Sequence, residues 1–201
     1  MNIAIFVSGN GTNLQAIIDA VRTGKIMAKI TLVVSDKKDA YALTRAQKAN
    51  IETFILENKG FKKREDYDKV VVKELEKRNV DLVILAGFMR LASSYFVKKY
   101  KDKMMNIHPS LLPAFKGTHG IKDAFESGIK ETGVTVHFVD EKLDHGPIIM
   151  QEKVNIDKND TLETLEEKIH KVEHRLYPET IRLFAEGKLK VEGSKVRVIE
   201  R

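Results

Sequence analysis

The run Asp81-Leu82-Val83-Ile84-Leu85-Ala86-Gly87-Phe88 is apolar at almost every position. A strand with no polar side belongs at the centre of a parallel sheet, with helices over both faces. Ile3 to Val7, Ile30 to Val34 and Met104 to His108 are further runs of strand length. Amphipathic stretches separate them. Leu14, Ile17, Ile18 and Val21 fall at i, i+3, i+4 and i+7, the spacing of one helix face, and Gly24 marks that helix's end. Asp39 to Asn50 reads as a helix, Glu52 to Ile55 as a short strand, and Lys63 to Arg78 as a helix with a stripe of Tyr67, Val70, Val71 and Leu75. Thr118 to Ser127 is a short helix closed by Gly128. Gly133 to Val139 alternates as a half-buried strand, and Ile148 to Glu152 returns after the polar turn Asp140 to Pro147. Thr161 caps a long helix buried through Leu165, Ile169, Val172 and Leu176, which Pro178 is expected to kink or interrupt. The Lys188-to-Arg201 tail reads as a short hairpin around Gly193-Ser194. The expected fold is α/β: one domain over 1–201, three αβα layers, a mostly parallel, doubly wound (Rossmann-like) sheet, and an antiparallel hairpin toward the C-terminal part.

The chain of 201 residues suffices for one sizeable core. It has no cysteine, which excludes disulfides and thiolate chemistry and fits a reducing cytoplasm. Met1 to Val7 lacks a basic flank and a cleavage site, so it reads as a strand and not a signal. No apolar run approaches membrane-spanning length. Lys and Arg number 35 against 29 Asp and Glu. The excess is mild and the lysines lie among acids, which suits anionic small molecules. Nucleic acid would call for a concentrated basic face.

Chemistry concentrates at Met104-Met105-Asn106-Ile107-His108-Pro109-Ser110-Leu111-Leu112-Pro113. Two residues apart on a strand, Asn106 and His108 share a face, and Pro109 should end the pairing. They then sit where open α/β sheets bind ligands, beyond the strand carboxyl ends; the bland alternative is polar capping of the sheet. Ser8-Gly9-Asn10-Gly11-Thr12-Asn13 joins a strand to a helix, a place where free backbone N–H groups favour an anion. Leu14 stands where a dinucleotide fingerprint needs its third glycine, and the Gly-Lys-Ser/Thr of a P-loop is missing. A phosphate loop, an ordinary tight turn, and a nucleotide site with Asp36 holding a ribose all remain open. Arg64 lies near a helix start, where a cation opposes the dipole, so it either faces an anion or is a surface arginine. His137 reads as a packed strand residue. His170 and Glu173 share one helix side. His170 and His174 are four apart, but Lys171 stands where a zinc-protease helix would carry glutamate, and no metal site is expected.

Four segments together resemble one family. They are Ser8 to Ala16, Leu85 to Arg90, Asn106 to Pro113, and Leu143-Asp144-His145-Gly146-Pro147-Ile148-Ile149. In order, and across nearly the whole chain, they look like phosphoribosylglycinamide formyltransferase, the folate-dependent formyl transfer enzyme of purine biosynthesis. The Asn-x-His-Pro-Ser-Leu-Leu-Pro segment is shared by folate formyltransferases generally, so it indicates the reaction; the Ser8–Asn13 loop indicates the acceptor. The resemblance implies that Gly11, Thr12 and Asn13 bind the ribonucleotide phosphate and that His170, Lys171, Val172 and Glu173 hold its sugar and glycinamide part. It implies a folate pocket of Arg64, Met89, Arg90, Leu91, Ala92, Asn106 and the turn Asp140, Glu141, Lys142, Leu143 and Asp144. It makes Asn106, His108 and Asp144 catalytic. His145 departs from the glycine or threonine common in the family, and positions 170 to 172 vary within it.

The implied reaction is attack of the glycinamide amine of 5-phosphoribosylglycinamide on the formyl carbon of 10-formyltetrahydrofolate, with no metal. Asn106 and protonated His108 would hold the oxyanion, and Asp144 would favour the imidazolium and take the amine proton through a water. The partners expected are these two small molecules, with neither nucleic acid nor membrane, in a monomer or homodimer. A 10-formyltetrahydrofolate hydrolase would carry an extra N-terminal domain, and a methionyl-tRNA formyltransferase an extra C-terminal one. A non-catalytic nucleotide-binding module would not need Asn106, His108 and Asp144 together.

Overall fold

The computed structural model describes residues 1–193 and 195–199. Five strands run parallel in the spatial order β3 (Thr53–Ile55), β2 (Lys29–Ser35), β1 (Asn2–Val7), β4 (Leu82–Leu85) and β5 (Met104–His108). The sheet continues with β6 (Glu131–Phe138), antiparallel to β5, and β7 (Ile148–Asn155), antiparallel to β6. A terminal antiparallel pair, β8 (Leu189–Glu192) and β9 (Lys195–Val198), joins β7 through β9. That pair is the expected tail hairpin; Ser194, Glu200 and Arg201 lie outside the described residues. The direction of winding reverses between β1 and β4, and a crevice opens there beyond the strand carboxyl ends.

Strand parity separates two buried clusters. Ile3, Ile5, Val7, Leu82, Ile84, Met105, Val134, Val136 and Phe138 pack with α1 (Thr12–Arg22) and α6 (Leu162–Ala185). Ala4, Phe6, Val83, Leu85 and Met104 pack with α3 (Arg64–Lys77) and α4 (Ser94–Lys99). Every β4 residue is buried, as a strand greasy on both faces requires. The remaining helices are α2 (Tyr41–Lys48) and α5 (Gly120–Glu126).

Two local features differ from the sequence reading. The helix α4 has six residues, too few to show a period, and is set by its cap: Ser93 Oγ accepts the Phe96 N–H at 3.4 Å. Pro178 does not interrupt α6, which runs unbroken from Leu162 to Ala185. Proline in a helix costs about 3 kcal/mol. Leu176, Tyr177 and Ile181 flank it almost fully buried, and such side chains return about 1.5–3 kcal/mol each. The helix begins as its sequence suggests, with Thr161 and Thr164 capping each other reciprocally.

Candidate active site

The crevice between β1 and β4 is a cleft of about 760 Å³, within the range of small-molecule sites. Its two upper loops are stapled. Ser8 Oγ donates to Asp36 Oδ1 at 2.6 Å and accepts the Met89 N–H at 2.9 Å, while Ser8 N–H bonds Gly87 O at 3.1 Å. Asp36 is therefore buried and held by Ser8, and is not presented to a ribose. After Ser8 the chain turns through Gly11, which is left-handed at φ 76° and caps α1 without a side-chain hydrogen bond. The first-turn N–H groups at Thr12 and Asn13 thus have the orientation and partial charge to receive an anion. A Cβ at residue 11 would lie 2.5 Å from Ala42 Cβ, so only glycine fits this turn.

Against that turn stands α6. Buried Glu173 accepts from Asn13 Nδ2 at 3.0 Å and from His170 Nδ1 at 2.9 Å. The Glu173 hydrogen bond holds the half-exposed His170 imidazole above the usual histidine range. His170 and Glu173 line the cleft together, as residues three apart on a helix can. Lys171 and Val172 do not line it: Lys171 is exposed and Val172 packs toward the core. The helical turn carries both away from the side shared by 170 and 173.

Below lies the polar cluster. On β5, Met105 and Ile107 enter the α1–α6 core, so Asn106 and His108 face the cleft with the opposite parity. The ladder ends at His108 before Pro109. Antiparallel pairing sets His137 opposite Asn106 and Thr135 opposite His108, which places these four side chains on one face. His137 Nδ1 lies 2.8 Å from Phe138 O. A carbonyl only accepts, so Nδ1 carries the proton and Nε2 is an acceptor. Asn106 Nδ2 donates to that Nε2 at 3.3 Å, which fixes the amide's orientation and leaves its second N–H for the cleft. Burial holds the His137 imidazole below the usual histidine range, in its neutral form.

His108 is fixed by the same logic. Its Nε2 lies 2.8 Å from Phe115 O, so Nε2 is the donor there and Nδ1 is the nitrogen left for Asp144. Nδ1 lies 3.5 Å from Asp144 Oδ2, and the other oxygen, Oδ1, is 3.8 Å from His137 Nε2. Asp144 is buried, accepts the Gly117 N–H at 2.9 Å, and is itself left-handed at φ 46°, a local strain of a kind found at functional sites. Thr135 Oγ1 donates to Ser110 O at 2.7 Å and accepts from Leu112 N–H and Gln151 Nε2. It anchors the loop between the two prolines. Ser110 Oγ is spent on Ala114 O at 2.6 Å and is fully buried, so it is not a nucleophile.

The remaining wall is apolar with charged ends. Met89, Leu91 and Leu143 expose large hydrophobic side chains at the rim, with Ala92 beside them. Arg64, the first residue of α3, also lines the cleft, and the Arg90 guanidinium lies 4.1 Å from the Tyr67 ring centroid. The Asp140–Asp144 turn closes one side. Asp140 accepts from Lys142 N–H and pairs with His145 at 2.6 Å, and Glu141 accepts from Ser94 Oγ. His145 is thus engaged with Asp140. Among the described residues no group of three His, Cys, Asp or Glu side chains is arranged to hold a metal.

Sequence reasoning passed over His137. Alternation alone could have found it. If Val134, Val136 and Phe138 face the core, Thr135 and His137 must face the other way, with Asn106 and His108.

The profile of the formyl transferase family matches residues 1–181. The phosphoribosylglycinamide formyltransferase of Escherichia coli is 45% identical over 191 residues, covering 95% of this chain and 90% of that protein. The enzyme of the same name from Bacillus subtilis is 42% identical over 179 residues, covering 89% and 92%. The trifunctional purine biosynthetic protein adenosine-3 of Chironomus tentans is 48% identical over 187 residues, of which this chain spans 14%. The crystal structure of glycinamide ribonucleotide transformylase 1 from Symbiobacterium toebii superimposes with a TM-score of 0.97 at 44% identity, covering 100% of this chain and 94% of that one.

Proposed function

The chain belongs to the formyl transferase family, and from that membership we propose that it transfers the formyl group of 10-formyltetrahydrofolate to the amine of 5-phosphoribosylglycinamide. The ribonucleotide phosphate is received by the N–H groups at Gly11, Thr12 and Asn13, and Glu173 with His170 takes the sugar and glycinamide end. The folate ring system lies along Met89 to Ala92 and the Asp140–Asp144 turn, with Arg64 and Arg90 near its acidic end. The cysteine-free composition fits a cytoplasmic setting.

The chemistry follows from the positions of the protons. The neutral glycinamide amine attacks the formyl carbon on N10, forming a C–N bond and moving the carbonyl electron pair onto oxygen. The second Asn106 N–H and the Nδ1–H of the His108 imidazolium stabilise that oxyanion. Asp144 takes the amine proton through a water. His108 gives a proton to N10 as the C–N10 bond breaks, releasing tetrahydrofolate and the formylated ribonucleotide. The observation that carries this reading is the contact of His108 Nδ1 with Asp144 at 3.5 Å, beside an amide whose orientation is locked by His137.

Mixing protein, 10-formyltetrahydrofolate and 5-phosphoribosylglycinamide and following the ultraviolet absorbance of the folate tests it. Loss of the formyl group only with ribonucleotide present is expected. Loss without ribonucleotide indicates a hydrolase, and no change indicates a binding module.

A further inference from the structure

We propose that Arg45, a half-buried residue of α2 outside the cleft lining, is a positioning residue that sets the anion loop for the phosphate of the ribonucleotide; this rests on the ribonucleotide reading above. Its guanidinium grips one loop residue twice. Nε donates to Asn10 O at 2.9 Å and Nη2 to Asn10 Oδ1 at 2.8 Å. Nη1 reaches Gln15 Oε1 on α1 at 3.4 Å, and the group lies 4.9 Å from the Tyr41 ring centroid. These acceptors are neutral oxygens, so the positive charge is left to act on the loop.

The rest of α2 acts at the same place. Ala42 N–H bonds Gly9 O at 3.1 Å, and the Ala42 methyl leaves no room for a Cβ on Gly11. The first turns of α2 thus form a mould: Gly9 is held by Ala42, Asn10 by Arg45, and Gly11 is pressed into its left-handed turn. The Asn10 carbonyl belongs to the peptide whose N–H is that of Gly11. By holding the oxygen from behind, Arg45 turns that N–H toward the cleft. Peptide planarity makes the two directions one choice.

A lysine cannot repeat this. Its ammonium is a single point and does not match two acceptors on one residue as a planar fork does. Arg45 therefore acts in two ways, by geometry through the fork and by charge at a helix start that already favours anions.

The test compares wild type with Arg45→Met and Arg45→Lys as full-length protein, using steady-state kinetics with both substrates and calorimetric binding of the ribonucleotide, of its phosphate-free riboside and of inorganic phosphate. Arg45→Met is expected to raise the ribonucleotide KM and Kd about tenfold, the loss typical of a charged hydrogen-bond partner. Phosphate binding weakens in parallel. Affinity for the riboside, the folate KM and kcat stay within about twofold of wild type. Arg45→Lys, retaining charge without the fork, falls between the two. An unchanged ribonucleotide Kd in Arg45→Met overturns the proposal, and so does an equal loss for riboside and ribonucleotide, which would indicate general damage to the cleft. If wild type binds ribonucleotide and riboside equally, the phosphate reading of the loop itself fails. If it discriminates between them yet forms no product, the formyl-transfer reading fails and the Arg45 comparison still stands on the binding data.

Discussion

His137→Phe isolates the lock on Asn106. Phenylalanine keeps much of the ring's volume but removes the Nε2 that accepts from Asn106 and the Nδ1 that donates to Phe138 O. Freed from its acceptor, the Asn106 amide can turn its oxygen toward the developing oxyanion. A net hydrogen bond of about 1 kcal/mol holds the correct orientation roughly fivefold over the reverse, and losing the donor outright costs about 10²–10³ in kcat. The donor is not removed but released, so the correct orientation falls from about five in six to between about one in two and one in six, and turnover should fall about two- to fivefold with KM values little changed. The orphaned Phe138 carbonyl and Asn106 N–H should also destabilise the fold by about 1–3 kcal/mol, a few degrees of melting temperature for a chain of this length. His137→Gln, which can offer an amide oxygen in place of Nε2, should retain more activity. It should also change the pH profile. Burial keeps His137 neutral below the usual histidine range, so wild type loses the acceptor only as pH falls through that lowered value, and glutamine removes this part of the acid limb. Stopped-flow or steady-state turnover in an Asn106→Ala background is decisive. With Asn106 gone, His137→Phe should cost nothing further, because the two act as one unit. Equal losses in both backgrounds would refute the lock.

Three further outcomes are expected. Gly11→Ala should raise the ribonucleotide KM about tenfold or more through left-handed strain and the Ala42 contact, with Ala42→Gly restoring part of the loss in steady-state assays. Tyr177→Phe removes a fully buried hydroxyl whose one proton is shared between Leu85 O and Met105 O at 2.9 and 3.0 Å; calorimetry should show destabilisation of about 1–3 kcal/mol. The His170–Glu173 pair, which raises the histidine pKa, should contribute fully below the unfolded histidine value of about 6.5 and fade as pH rises through the folded value. The melting difference between wild type and His170→Ala should accordingly be larger at acid than at alkaline pH.

Much of this was legible in the chain because two periods carry it. The greasy Asp81–Phe88 run required a central strand, and the two-residue step from Asn106 to His108 required a shared face. The Ser8–Asn13 loop disclosed its tight turn through its glycines, Gly11 being left-handed at the start of α1. What stayed hidden depends on register between distant segments. Nothing local to Asp144 shows that it meets His108 at 3.5 Å, because the meeting is made by the β5–β6 pairing and the turn that follows. His137 reads in the sequence as a packed strand residue, and it is buried; only its register opposite Asn106 gives it a partner. Arg45 was silent for a similar reason, since α2 reaches Asn10 across 35 residues. Pro178 does not interrupt α6, because burial of the neighbouring α6 residues outweighs its local cost.

The central claim is that Asn106 and His108 act on one oxyanion while Asp144 serves the same carbon. Single-turnover formyl transfer by purified Asn106→Ala and His108→Ala, each shown folded by its melting curve, tests this most directly. Both should lose about 10²-fold or more in rate at saturating substrates. A rate near wild type in both folded variants would contradict it.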